Sequence, residues 1–296
     1  MKSGMVSIVG RPNVGKSTLL NRLINKKVAI TSDKAGTTRN IILGVYNDKE
    51  SQIVFVDTPG IHKPQHKLGK VLNDKAYLMT NDIDLVLFMV DISKGFGKGD
   101  RFVLEKIKDS NNKIILLLNK VDNISKDELI KRIDAISQEY EFSEIIPISA
   151  IKGININDLI KTIKKYLMDS EKYYDDEFIT NQPKSLIITE RVREKVLRLT
   201  HDEIPHTVTC VLDELNEDEK LISAGVTIVV DRDNLKKILI GKNGLMLKEI
   251  GTKARIDLEE YFNKKVFLSL YVKTVKNWRD REGLISELGL KDDLGE

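Results

Sequence analysis

Short apolar runs rich in β-branched residues recur through the first half of the chain, at Met5–Val9, Ile53–Val56 and Ile114–Leu118. Turn-forming polar residues and then apolar residues at helical spacing follow them. This alternation predicts an α/β domain with a doubly wound, mostly parallel sheet. Its last helix carries Ile156, Leu159, Ile160, Ile163 and Leu167 on one face. Periodicity fades over Asp169–Pro183, where Asp175, Asp176, Glu177 and Pro183 gather, which reads as a linker. The second half has another rhythm. A helix is expected over Glu190–Leu199, strands over Val208–Leu215, Leu221–Val230 and Val266–Val272, and two further helices over Asn234–Ile240 and Leu245–Tyr261. The expected division is a first domain over 1–170, a linker over 171–183, an α+β domain over 184–285 and a tail over 286–296.

Between the first strand and its helix lies Gly10-Arg11-Pro12-Asn13-Val14-Gly15-Lys16-Ser17, a G-x-x-x-x-G-K-S loop in the strand–turn–helix setting of a phosphate cradle. Its N–H groups would converge on phosphate oxygens, and the helix starting near Lys16 and Thr18 would add its positive end. Lys16 would neutralise the outer phosphates and Ser17 would ligate Mg²⁺.

The base is specified further on. Asn119-Lys120-Val121-Asp122 closes the strand Ile114–Leu118 at its carboxyl end, where open α/β sheets bind ligands. The Asp122 carboxylate can accept from N1–H and the 2-amino group of guanine, donors that adenine lacks. Stranding such a group is worth on the order of 10⁴-fold in discrimination. The Lys120 stem can cover the purine face, and Asn119 can tie this loop to the phosphate loop. After another strand, the Ala150 N–H is expected to reach guanine O6, supported by Ser149 and Lys152.

Asp57-Thr58-Pro59-Gly60 follows Ile53–Val56, with Ile61 next. Asp57 is expected to hold Mg²⁺ through a water, and the Gly60 N–H to sense the γ-phosphate. The polar, turn-prone segment Ala35-Gly36-Thr37-Thr38-Arg39 suits a mobile switch, with Thr38 preferred to Thr37 as the second hydroxyl ligand of Mg²⁺. Lys16, Thr38, Asp57 and Gly60 are thus the expected catalytic set of a GTP-hydrolysing domain.

In the second half, Gly241-Lys242-Asn243-Gly244 falls between two expected helices after a strand. Glycines remove Cβ atoms, so phosphates can press against backbone N–H groups, while Lys242 adds charge. The arrangement resembles a KH module, whose G-x-x-G loop clamps single-stranded RNA. Charge sharpens that picture. Asp231–Arg281 carries 13 Lys/Arg against 7 Asp/Glu, a local +6 in a chain whose total is +3. Lys236, Lys237, Lys242, Lys248, Lys253, Arg255, Lys273 and Lys276, with the loop residues Gly241, Asn243 and Gly244, are the candidate RNA contacts. Trp278 either stacks on a base or folds back onto the sheet, and the second is preferred.

Composition adds limits. The single cysteine, Cys210, rules out an intrachain disulfide, suggests a reducing compartment, and alternates with Val208 and Leu212 as a core residue does. No apolar run approaches the ~20 residues that span a bilayer. The first strand leaves no room for a signal peptide. A cytoplasmic protein is expected.

With G-R-P-N-V-G-K-S, G-T-T-R, D-T-P-G, N-K-V-D and S-A in this order, residues 3–168 resemble the translation-factor-related bacterial GTPases; one phosphate loop, not two, argues against the tandem GTPases among them. Asp57-Thr-Pro-Gly-Ile-His-Lys-Pro64 and the run Asp231–Trp278 extend the likeness to the whole chain, which resembles the Era-like GTPases of small-ribosomal-subunit assembly. That resemblance implies a P-loop GTPase domain followed by a type II KH domain. It implies GTP and GDP as ligands, Mg²⁺ as cofactor, and single-stranded 16S ribosomal RNA near its 3′ end and the 30S subunit as partners. No DNA partner is expected. Peripheral contact with the inner face of the cell membrane is implied only by the resemblance. Hydrolysis should be slow, because Ile61 stands where many GTPases place a water-orienting glutamine. In similar GTPases an asparagine at the place of Asn13 ligates K⁺, so K⁺ or an RNA partner is expected to supply help; an ordinary loop-stabilising amide is the alternative for Asn13. A competing class is a regulatory GTPase whose second domain docks a protein or a membrane.

Overall fold

The computed structural model describes residues 1–80, 83–109 and 112–291. Residues 292–296 of the expected tail lie outside these. In the first half, β1 (Lys2–Gly10) leads through the phosphate loop into α1 (Lys16–Ile24), followed by β2 (Ile42–Asn47), β3 (Ser51–Asp57) and α2 (Lys67–Leu78). Then come β4 (Leu85–Asp91), α3 (Lys98–Ile107), β5 (Lys113–Asn119), α4 (Lys126–Ser137), β6 (Glu144–Ile148), α5 (Ile156–Tyr166) and the short β7 (Met168–Asp169). The strands form one sheet in the order β2-β3-β1-β4-β5-β6, parallel except for β2 against β3, with β7 antiparallel to the start of β1. Central strands are apolar on both faces because helices cover both, as Leu85–Val90 illustrates by being fully buried throughout. One layer packs α1 and α5 against Val6, Ile8 and Leu117, and the other packs α3 and α4 against Val86, Phe88 and Leu116.

The expected linker is irregular but attached to the first domain. Gln52 Nε2 donates to Tyr174 O at 2.8 Å, and Val45 N donates to Ile179 O at 2.9 Å. Its polar composition carried no sign of this docking, since the partners are backbone groups.

The second half opens with α6 (Lys184–Leu199), six residues longer at its start than the periodicity suggested, and α7 (Ile204–Thr207). It continues with β8 (Thr209–Glu217), β9 (Leu221–Val230), α8 (Asp233–Ile240), α9 (Leu245–Phe262), β10 (Lys265–Thr274) and α10 (Glu282–Glu287). Here β9 is central, antiparallel to β8 and parallel to β10. Helices α6, α8 and α9 cover one face through Ile188, Val192, Leu239, Ile250 and Leu258. Cys210 lies in this core, and burial pushes its thiol up to about 12. Among the described residues, no helix is long and apolar enough to cross a membrane.

Candidate functional site

Parallel register gathers loops that are far apart in the chain. Ile8 pairs with Asp57, Gly10 with Met89, Asp91 with Asn119, and Asn119 with Ile148, so the strands end together. At that edge the phosphate loop bounds a cleft of about 400 Å³, closed by Thr31, Ser32, Gly36–Thr38 and Gly60. Gly15 caps α1 in the left-handed conformation, φ 110°. A Cβ on Gly60 would lie 2.7 Å from Pro12 N, so this approach of two loops admits only glycine. Arg11 turns away, pairing with Asp100 at 3.3 Å, and Val14 is buried in the core.

Within the cleft, Ser17 Oγ lies 2.8 Å from Thr38 Oγ1 and donates to Asp57 Oδ2 at 2.6 Å. Asp57 is fully buried, and its other oxygen, Oδ1, has no hydrogen-bond partner among the described residues. An orphaned carboxylate oxygen beside two hydroxyls is a donor set suited to a hard cation such as Mg²⁺. Thr37 differs: its hydroxyl bonds Ser32 Oγ and Lys34 O and is turned to its own loop. Burial pushes the Asp57 carboxyl up to about 6 against the pull of Lys16. Burial likewise pushes the Lys16 amine down to about 8, with Asp57 opposing. Lys16 Nζ donates to the carbonyls of Gly10 and Arg11 at 3.1 and 3.0 Å. A triphosphate with its cation would supply the counter-charges both groups lack.

Thr58 Oγ1 donates to Ile8 O at 2.9 Å, fixing the turn through Pro59. Ile61 is fully buried with Val9 and Val86, so its side chain lies in the core and not in the cleft. Asn13 Nδ2 donates to Asp33 O at 2.6 Å, which ties the phosphate loop to the segment before Gly36.

On the base side, Asn119 Nδ2 donates to Val14 O at 2.7 Å, and Lys120 Nζ reaches Asn13 O at 2.9 Å and Asp91 at 2.7 Å. Asp122, beside Val121, is exposed and makes no hydrogen bond among the described residues. The Ala150 N–H differs from the expectation. It donates to Asn119 Oδ1 at 2.9 Å, so guanine O6 would have to share or displace that bond. Lys152 N donates to Ser149 Oγ at 3.2 Å, shaping the same loop. Arg22 was not foreseen: from α1 it donates to the carbonyls of Ala150 and Ile151 at 3.2 and 2.7 Å. Nothing in its local sequence separates it from a solvent-facing helix arginine.

The two domains meet at Gly36–Arg39, the segment expected to act as a switch. Arg193 of α6, only 1 % exposed, donates to Gly36 O at 3.4 Å and to Thr37 O. Arg39 is buried as well; it donates to Val208 O at 2.8 Å and lies over the Trp278 ring at 5.6 Å. Burial, reinforced by Arg193, pushes the Arg39 guanidinium down to about 9. Glu194 accepts from Thr31 N at 3.0 Å and from Lys27 at 2.7 Å. Lys27 also reaches Asp257 of α9 at 2.8 Å. Beyond Gly60, Leu68 and Leu72 of α2 pack on Trp278 and Ile285.

Across the second domain, Gly244, Leu247, Lys248, Gly251, Thr252 and Arg255 face Leu268 and Leu270 of β10 over a groove of about 730 Å³. Lys242 and Asn243 stand exposed at its mouth, and Gly241 holds φ 72° with Met246 pressed close, 2.8 Å from where a Cβ would lie. Lys236 and Lys237 lie on α8 just before this loop. Lys253 does not line this groove: it lies on the other side of α9, paired with Glu249 at 2.7 Å and beside Lys195 and Arg198 of α6. Helical spacing puts Gly244, Leu247, Lys248, Gly251, Thr252 and Arg255 on one face and Lys253 off it. Lys273 and Lys276 are exposed at the far end of β10 and do not line the groove either. Trp278 is fully buried, its Nε1 donating to Thr207 O at 2.8 Å, as the core alternative required.

Comparison with known proteins agrees with both halves. Residues 5–120 match a family described as 50S ribosome-binding GTPase, and residues 203–279 match the KH domain family. The whole chain is similar to a variant of Era from Aquifex aeolicus bound to GDP and AlF₄⁻, at 42 % identity and a TM-score of 0.95 over 98 % of this chain and 99 % of that one. It is equally similar, at 42 % identity and a TM-score of 0.95 over the same shares, to Era in complex with MgGDPNP and nucleotides 1506–1542 of 16S ribosomal RNA. At that identity over nearly the whole length of both chains, the chain belongs to the Era family of GTPases.

Proposed function

We propose that this protein is a GTP-hydrolysing switch that grips single-stranded 16S ribosomal RNA near its 3′ end and assists maturation of the 30S subunit. The observation that carries the reading is the grip of Arg193 on the carbonyls of Gly36 and Thr37, which joins the segment that would answer to the γ-phosphate to the helix on which the KH core is built. A nucleotide that reorders this segment must then break or remake a contact with the RNA-binding half. The family description that mentions the 50S particle covers only residues 5–120, before the groove. The likeness to the 16S RNA complex spans both domains and favours the small subunit.

In this reading Ser17, Thr38 and Asp57 would hold Mg²⁺, which when bound would supply neutralisation of phosphate negative charge. Lys16 and the loop N–H groups bind the phosphates, and Asp122 reads guanine. Ile61, buried in the core, cannot do the work of the water-orienting glutamine, so turnover is slow until K⁺ near Asn13 or bound RNA assists; equal rates in Na⁺ and K⁺ buffers would remove the ion from the account. The location proposed is the cytoplasm, where the RNA partner is. Crosslinking to total cellular RNA in GDP and in a non-hydrolysable GTP analogue, followed by sequencing, tests the whole. Enrichment of the 16S 3′ end with unequal yields in the two states is expected, and recovery of no defined RNA would overturn it.

A further inference from the structure

The groove uses only one side of β10. Val266, Leu268, Leu270 and Val272 point toward the helices and join the core. The alternate residues Lys265, Phe267, Ser269, Tyr271 and Lys273 therefore share the opposite face of the sheet. Phe267 and Tyr271 are each 63 % exposed there. Their neighbours on β9 are small: Phe267 pairs with Ser223, Ser269 with Gly225, and Tyr271 with Thr227. Nothing of comparable size stands beside either ring on the central strand. The cluster of Trp278, Val229 and Ile285 covers part of this face and leaves the two rings uncovered.

Aromatic rings left in water on a small domain call for an occupant, and the charges select it. Lysines flank the strip at both ends. Beyond the central strand the sign reverses: Asp213 accepts from Thr227 Oγ1 at 2.8 Å, and Glu214 lies over Gly225. A polyanion crossing this face would keep its phosphates along the outer edge by Lys265 and Lys273 and turn its bases inward, over the rings and toward the carboxylates. Base amino groups can donate to carboxylates, whereas phosphates are repelled by them. The strip is also continuous with the groove, because Leu268 and Leu270 of its floor alternate with Phe267, Ser269 and Tyr271 on the same strand. Among the described residues β10 pairs only with β9, so its outer edge is open for a chain to pass over.

We propose that single-stranded RNA leaving the KH groove wraps over the edge of β10 and stacks bases on Phe267 and Tyr271, making the outer face of the sheet a second RNA-binding surface. The proposal rests on the RNA-binding reading above and extends it beyond the groove. Aromatic platforms of this kind accept any base, since each has a π-face, so the surface would lengthen the bound segment without adding much sequence preference. The rings stand about 13 Å apart along the strand at its usual rise per residue, which separates the two stacking positions.

The test uses the full chain and two RNA probes: one of about four nucleotides, the length a KH groove clamps, and one with the same core extended by single-stranded RNA at both ends. Replacing Phe267→Ala and Tyr271→Ala together should weaken the extended probe by roughly 10-fold for each ring while leaving the short probe unchanged. Phe267→Trp and Tyr271→Phe should preserve binding of both, because each keeps a ring. Unchanged affinity for the extended probe in the double alanine variant would overturn the proposal. So would equal weakening of both probes, which would mean a distorted groove. A variant that alters only the sedimentation mass of the free protein would assign the strip to a second copy and likewise overturn it. If the unsubstituted protein binds neither probe, the RNA-binding reading falls and the wrapped path with it; if it binds both and only the ring dependence is missing, the wrapped path alone falls.

Discussion

Lys16, Thr38, Asp57 and Asn119 are all under 9 % exposed, whereas Lys242, Asn243 and Lys248 stand in solvent around an apolar floor. The nucleotide cleft is a set of buried polar groups that hold one another, and removing one strands the rest. The KH groove is an open surface whose cations would act almost independently on a polyanion and be weakened by salt. Cleft substitutions should therefore act in large steps and groove substitutions in increments. The seam between them shares the first character, since Arg39, Arg193 and Glu194 are buried.

The largest effect is expected at Asp122. Asp122→Asn replaces two acceptors by one acceptor and one donor, and competition between GTP and ATP should show selectivity falling by on the order of 10³–10⁴. Next comes Asp57. Its raised pKa, about 6, means that the folded, nucleotide-free protein carries a penalty that is absent near pH 4 and complete above pH 6. Asp57→Asn should thus stabilise the nucleotide-free protein at pH 7 by up to about 3 kcal/mol, leave it unaltered near pH 4, and abolish Mg²⁺-dependent hydrolysis. Denaturation at the two pH values checks the sign.

For the groove, changing Lys242 and Asn243 both to Asp should lower RNA affinity by about 10²-fold at physiological salt with GTP affinity unchanged. The salt slope of the unsubstituted protein should be ~0.7 log units for each phosphate neutralised. A cleft variant that changed this slope, or a groove variant that changed GTP affinity directly, would blur the contrast.

The cleft was legible in sequence because turn chemistry is local. A loop that needs left-handed backbone at Gly15 and an approach too close for a Cβ at Gly60 writes those needs as contiguous motifs. Parallel register then brings the motifs together without further coding. The G-x-x-G loop was legible for the same reason. Orientation on a helix was less so: Lys253 shares the charge of Lys248 but faces α6, a difference of helical phase that a count of basic residues does not contain. The seam was not legible. Arg39 and Arg193 act through backbone carbonyls of the other domain, and a carbonyl carries no residue identity. The burial of Ile30 in the KH core shows the same thing, since it sits in a stretch that reads as an ordinary loop. The bond from Ala150 N–H to Asn119 likewise depends on where two distant loops settle.

The central claim is that the seam transmits nucleotide state to the RNA-binding half. Arg193→Met keeps the aliphatic bulk of the side chain but removes the donors to Gly36 O and Thr37 O. The deciding measurement is RNA affinity in GDP and in a non-hydrolysable GTP analogue, for the unsubstituted protein and for this variant. The account predicts a ratio between about 5 and 150 for the first, the usual range of coupling between linked sites, and a ratio near 1 for the second. Equal RNA affinity in both nucleotide states of the unsubstituted protein would contradict it.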